Sequence, residues 1–200
     1  VNGGSITGTQ DNNVEAIYMA GGVFTTNVGS IRNFIGEQCG AVNMADGTFT
    51  MTNGTIDKCQ GTGSGAIYMS GGEFEISGGN ISNCSGTNGG ALYMADGTFS
   101  ISGNAVMQSN SSTNGGSVYL AGTGTLNIGG GTIKENVAAA HGGAIYLTDG
   151  TFNMTAGKVE ANTSQGGNGA GIYINNGTVS LTGGEVTGNE AINGKGGGFY

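Results

Sequence analysis

Few residues of this 200-residue chain have the type and spacing for chemistry. Asp46, Asp96 and Asp149 recur at one repeat position, and converging carboxylates on an outward face would suit cleavage of a polysaccharide, alone or with Ca²⁺ beside a basic residue. Gly71 and Gly122 alternate with them, however, which sets successive aspartates about two coils, ~10 Å, apart. That spacing relieves repulsion at a turn. Glu73 and Glu75 bracket Phe74 as a second acidic pair, but no Arg or Lys shares their strand column in the next repeat, and Arg32 is the single arginine. His141, the single histidine, has no Ser, Asp or Cys partner at a recurring spacing and reads as a loop residue. The Gly-Gly-x-Gly-x-Asp nonapeptide of Ca²⁺-loaded β-rolls is absent. The chemistry to expect is therefore non-enzymatic, with no catalytic residues, no metal and no cofactor.

Composition narrows the class of protein that must position these residues. Glycine makes up 45 of 200 positions, proline and tryptophan are absent, and charged residues are 9 % while hydrophobic residues reach 36 %. Collagen needs a three-residue Gly period with Pro, disordered chains need high charge with low hydrophobicity, and helices tolerate little Gly. A net charge of −8 opposes binding to phosphate backbones and anionic membranes. No apolar run reaches 18 residues, so direct membrane insertion is not expected. Three cysteines cannot all pair internally, which excludes a disulfide scaffold.

A repeat organises the chain. The string Ala66, Ile67, Tyr68, Met69 returns with its marker at Tyr18, Asn43, Tyr68, Tyr93, Tyr119, Tyr146, Tyr173 and Tyr200, in steps of 25, 25, 25, 26, 27, 27 and 27 residues. Each repeat then places Phe24, Phe49, Phe74, Phe99, Leu126, Phe152 or Val179, followed by Ile31, Ile56, Ile81, Val106, Ile133, Val159 or Val186. Ile6 starts that last series. Alternation within the segments, as in Phe74, Glu75, Ile76, has the period of a strand with one buried face. Strands this short pair only if equivalent strands of successive repeats stack, which predicts an all-β parallel β-helix. It has three short strands per coil, 25–27 residues per coil and about seven to eight coils, and residues 1–200 form one domain. Nearly all length variation is expected in the corner before the marker.

Turn residues support the same architecture. Gly21, Asp46, Gly71, Asp96, Gly122, Asp149 and Asn176 open one corner, all but Gly122 directly followed by Gly. Gly29, Gly54, Gly79, Gly131, Gly157 and Gly184 mark a second, with Asn104 in the remaining repeat. Three residues beyond the third segment the column reads Thr9, Phe34, Cys59, Cys84, Ser109, Asn136, Asn162 and Asn189. Stacked Asn amides can hydrogen-bond along such a ladder, and Ser, Thr or Cys fits the same niche. Cys59 and Cys84 are then neighbours ~4.8 Å apart with parallel Cβ vectors, which favours packed free thiols over a disulfide. Cys39 occupies a glycine corner as a tolerated small residue.

The strings Gly142, Gly143, Ala144, Ile145 and Gly89, Gly90, Ala91, Leu92, with Ile133 to Asn136 and Val159 to Asn162, resemble the repeats of polymorphic outer membrane proteins and autotransporter-type adhesin passengers. That family pairs a Gly-Gly-Ala-Ile motif with a Phe-x-x-Asn motif; here Ile or Val replaces the Phe. The resemblance covers the whole chain and implies a right-handed, single-stranded β-helix of the cell surface or extracellular space, acting in adhesion. Starting and stopping inside a repeat further suggests a segment of a longer repeat protein.

If Ile67 and Met69 point inward, Tyr68 points outward, and Tyr18, Tyr68, Tyr93, Tyr119, Tyr146, Tyr173 and Tyr200 form one row at ~4.8 Å spacing. Two readings stay open: a ladder that stabilises the sheet by cross-strand pairing, or a contact face for a neighbouring molecule or stacking sugars. Thr48, Thr98, Thr125, Thr151 and Thr178 form a further outward column, interrupted by Val23 and Glu73, whose repeated hydroxyls make ice binding a minor alternative. Partners expected are the chain itself, end to end or side by side, or a host surface protein or glycan, and no nucleic acid. The functional expectation is an adhesive stalk or fibre. A filament subunit and a polysaccharide-active enzyme with its site outside these residues are the alternatives.

Overall fold

Short alternating segments separated by glycine corners can satisfy their backbone groups only between coils, and that is what the chain does. The computed structural model describes residues 2–9 and 13–200, which contain strands and turns and no helix. Every strand pairing is parallel and joins one coil to the next, giving a β-solenoid of about seven turns. Register follows the repeat, with Leu92 opposite Ile67 and Val118, and Phe99 opposite Phe74 and Leu126.

Strand boundaries are less even than three short strands per coil. Ile17–Thr26, Val42–Met51, Ile67–Ile76 and Leu92–Ile101 each run through the first corner as one bent ten-residue strand with a register irregularity. Thr125–Lys134 and Thr151–Glu160 run instead through the second corner. A further two-residue column, Ser111–Ser112, Val137–Ala138, Thr163–Ser164 and Glu190–Ala191, pairs across the variable corner.

The first corner shows why glycine recurs. Gly47 sits at φ +97°, and a Cβ there would lie 2.5 Å from the Gly22 carbonyl oxygen of the coil beneath. Asp46 closes the turn by accepting the Gly47 N–H on its Oδ1 (2.7 Å). Asp96 and Asp149 do the same for Gly97 and Gly150 (2.8 Å each), so the aspartate column is held by its own corner.

Inside, equivalent residues stack on themselves. Phe24, Phe49, Phe74 and Phe99 form a continuous pile with centroids 4.8, 4.4 and 5.1 Å apart. Phe49, Phe74, Phe99 and Phe152 are fully buried, each contributing about 1.5–3 kcal/mol by leaving water. Met44, Met69, Met94, Leu120 and Leu147 line the first strand, and Ile31, Ile56, Ile81, Ile133 and Val159 the third.

The fourth coil departs from expectation by one residue. Met107, not Val106, is the buried partner of Ile81 and Ile133. The inward polar residue after it is Asn110, not Ser109, which instead adopts φ 54°. The left-handed residue of that second corner is Gly103, at φ 57°, rather than Asn104. An extra residue is taken up in a tight turn, closed by the Ala105 N–H donating to the Ser102 carbonyl (3.3 Å). Length variation is therefore not confined to the corner before the marker.

Ser109 belongs to a column that sequence patterning missed. Asn33, Lys58, Asn83, Ser109, Glu135 and Ala161 all have φ of 53–61°, a left-handed conformation that costs a non-glycine residue about 1–2 kcal/mol. Their backbone N–H groups still donate to the next coil, as Lys58 does to the Ser82 carbonyl (3.1 Å) and Ala161 to Thr187 (3.2 Å). The following residue of each coil occupies the corner column that carries the internal ladder.

Candidate interaction face and the ladders behind it

The tyrosine row is built on the three-residue segment between two inward side chains. Ile67 and Met69 are fully buried while Tyr68 between them is half-buried, and the pattern repeats at Tyr93, Tyr119 and Tyr146. Ring centroids from Tyr68 through Tyr93, Tyr119, Tyr146 and Tyr173 to Tyr200 are 5.2, 5.4, 5.1, 4.7 and 5.4 Å apart, with planes within 12° of parallel. Coplanar rings side by side could not approach so closely without atomic overlap, so the rings lie face over face. In that orientation neighbouring ring faces cover one another. Solvent meets ring edges and hydroxyls.

Tyr18 stands outside this stack. Its neighbour in register is Asn43, almost buried, whose Nδ2 donates to Glu15 Oε1 (2.8 Å) and Gln38 Oε1 (3.2 Å). Within the row, burial and then the neighbouring phenols push Tyr119 and Tyr146 above the ordinary tyrosine range, and burial with Tyr68 does so for Tyr93. Creating one phenolate disfavours the next.

Beside the rings runs a second ladder, on the outer corner. Asn114 Oδ1 accepts the His141 backbone N–H (3.3 Å), His141 Nδ1 accepts the Asn168 N–H (2.9 Å), and Asn168 Oδ1 accepts the Lys195 N–H (2.8 Å). His141 thus stands where an Asn would, its Nδ1 doing the work of an amide oxygen. Its ring centroid lies 4.7 Å from that of Tyr173 and 6.3 Å from that of Tyr146. The loop histidine of the sequence is a structural rung at the edge of the tyrosine row. The recurrence of Asn88, Asn114 and Asn168 five residues before the marker is the sequence signal that could have revealed this ladder.

The internal ladder fixes the coils from within. Asn136 donates Nδ2–H to Asn162 Oδ1 (2.9 Å) and to the Met107 carbonyl (3.1 Å). Its Oδ1 accepts from the Asn110 backbone N–H (2.9 Å) and from Asn110 Nδ2 (3.1 Å). Both amide hydrogens and both lone pairs are used, inside a column with no solvent access. Asn162 and Asn189 continue the pattern, and at the other end Asn110 Oδ1 accepts the Cys84 backbone N–H (3.0 Å).

Cys59 and Cys84 extend the column as thiols, donating weakly to the carbonyls of Asp57 (3.5 Å) and Ser82 (3.1 Å). Cys39, Cys59 and Cys84 are all buried and free. Burial pushes the Cys39 thiol up to about 12, and burial followed by the neighbouring Cys59 raises Cys84 well above the thiol range. Cys39 and Cys84 are thus inert packing groups rather than nucleophiles.

Of the remaining charged residues, Lys158 pairs with Glu185 (3.0 Å) across adjacent coils, and Lys134 with its neighbour Glu135 (3.4 Å). Asp57 Oδ1 accepts from Ser82 Oγ (3.0 Å) and Asn83 Nδ2 (2.7 Å), a local tie between coils. The threonine column is in register, interrupted at Val23 and Glu73. Comparison with models of protein families, with curated proteins and with solved structures finds no match to this chain.

Proposed function

We propose that this chain is a non-enzymatic, extracellular β-helix with a structural and adhesive role, a cell-surface stalk or fibre whose contact surface is the tyrosine row. The observation that carries the reading is the row itself: six outward-facing tyrosines stacked along one side. Aromatic residues concentrate at protein contacts because each offers a large area at little cost in side-chain freedom. A solenoid with a hydrogen-bonded interior ladder suits the load of a stalk, since each coil is tied to the next by side chains as well as by sheet. The Gly-Gly-Ala-Ile strings, resembling those of surface adhesin passengers, agree with this placement outside the cell.

Asp46, Asp96 and Asp149 each spend a carboxylate oxygen on the adjacent glycine amide, which supports a turn-building role for this acidic column. The test is binding of the full chain to host cells and to an array of glycans. Saturable binding that is lost when Tyr93 and Tyr146 are changed to Ser is expected. Binding no stronger than that of an unrelated β-helix, together with no self-association, would overturn the proposal.

A further inference from the structure

We infer that the occupant of the tyrosine row is a second copy of this chain, lying alongside with its own row against the first; this rests on the reading of the row as a contact surface. Ring faces are already paired within the row, at 4.7–5.4 Å, so a flat ligand finds edges where it needs a face. Edges and hydroxyls are what a second row of edges and hydroxyls can meet, by edge contacts between rings and hydrogen bonds between phenols.

Period supplies the second reason. A partner that makes the same contact at every rung must repeat at the spacing of the rungs, and stacked β-coils repeat at ~4.8 Å. A copy of this chain satisfies that condition at each of its six stacked tyrosines. A folded partner without such a repeat would engage one or two rungs and leave the others in water.

Charge supplies the third. The chain carries −8, so two copies repel over most approaches. From Tyr68 to Tyr173 the row is bordered on one side by Ser70, Ala95, Ala121, Thr148 and Asn175, and on the other by Gly63, Asn88, Asn114, His141 and Asn168. The nearest carboxylates on the first side, Asp96 and Asp149, directly follow Ala95 and Thr148 and are held at the corner by the Gly97 and Gly150 amides. Two copies meeting along the row from Tyr68 to Tyr173 bring uncharged side chains together, with the corner aspartates at its margin as the source of repulsion. A stripe one tyrosine wide falls short of the roughly 800 Å² per partner of a standard stable interface, so the association is weak at this length and grows with the number of coils in contact.

Sedimentation of the full chain over a range of protein and salt concentrations tests this. A monomer–dimer equilibrium is expected that shifts toward dimer as salt screens the shared negative charge, the reverse of a contact made by opposite charges. Tyr93→Ser with Tyr146→Ser should remove the dimer, and Tyr18→Ser, outside the stack, should leave it. Ala95→Glu adds a charge beside the row without touching a ring, so it should weaken dimerisation at least tenfold even if the double tyrosine variant folds poorly. A chain that stays monomeric at millimolar concentration and high salt, or an Ala95→Glu variant that dimerises like the parent, would overturn the inference. Should such a monomer still bind cells or glycans through Tyr93 and Tyr146, the row has a foreign partner and the functional reading survives. Loss of both activities would defeat both.

Discussion

In the coils up to Cys84 the inward corner position holds Phe34, Cys59 and Cys84, whereas in the coils beyond it the same position holds Asn110, Asn136, Asn162 and Asn189. The backbone before that position is the same in both regions: Asn33, Lys58 and Asn83 share their left-handed φ with Ser109, Glu135 and Ala161. The asparagine ladder therefore does not bend the corner; it cross-links coils whose path is already set. Apolar stacking takes the complementary share. The pile of Phe24, Phe49 and Phe74 belongs to the thiol region, reaches Phe99 in the first amide coil and breaks at Leu126. The continuous tyrosine row and the outer Asn114–His141–Asn168 ladder belong mostly to the amide region.

The sharpest break of this contrast is Asn136→Leu. It keeps the number of side-chain heavy atoms but strands the Asn110 N–H and the Met107 carbonyl in a dry column, removing four hydrogen bonds at once. A loss of about 3–5 kcal/mol is expected in denaturant unfolding. Cys59→Ala, at the equivalent position of the other region, should cost only about 1–2 kcal/mol, because it deletes one weak donor and a small apolar volume. Equal losses at the two sites would show that the ladder adds nothing beyond packing.

Converting one region into the other is the next test. Cys84→Asn adds a rung above Asn110, giving the Cys59 N–H an amide oxygen in place of a thiol, which is a weak acceptor. A gain of about 1 kcal/mol is expected, read as a higher denaturant midpoint with an unchanged slope. A loss would mean that this part of the column is too tight for an amide.

How much of this could be read from residues alone differs between the two regions for physical reasons. The period, the inward Phe and Ile columns and the first-corner Asp-Gly pairs were legible because burial and positive φ restrict residue type at a fixed spacing. The fourth coil misled because Val106 and Met107 are both apolar and Ser109 is small enough for the niche. Only the match of Asn110 to Asn136, Asn162 and Asn189 separates the two registers, and it implies the inserted corner residue near Gly103. Ring orientation was not legible, since a period states that tyrosines recur and says nothing of which side of each ring meets the next. His141 was missed because its Nδ1 imitates an asparagine oxygen, a likeness of hydrogen-bonding geometry and not of residue type.

Asn43→Tyr would bring the thiol region up to the amide region on the outer face. Its register partners are Tyr18 and Tyr68, so the new ring would close the gap and join Tyr18 to the row. The change removes the bonds from Asn43 to Glu15 and Gln38, both able to turn to solvent at this surface. A net gain of about 0.2–1 kcal/mol is expected from two new ring pairs. A loss in thermal unfolding would show that the Glu15–Asn43–Gln38 cluster holds the early coils.

The smallest effect concerns the tyrosines already in the row. Tyr93, Tyr119 and Tyr146 are raised above the ordinary phenol value, so between that value and the folded one the native chain binds more protons than the unfolded chain. Stability is then full below about pH 10 and falls as pH rises through the folded value. Absorbance titration should show tyrosinate forming later than in the denatured chain, and Tyr119→Phe should flatten part of the alkaline loss in Tm. If the three phenols titrated together at the free value, the rings would be acting as independent side chains, and the contrast between the stacked row and isolated Tyr18 would have no energetic content.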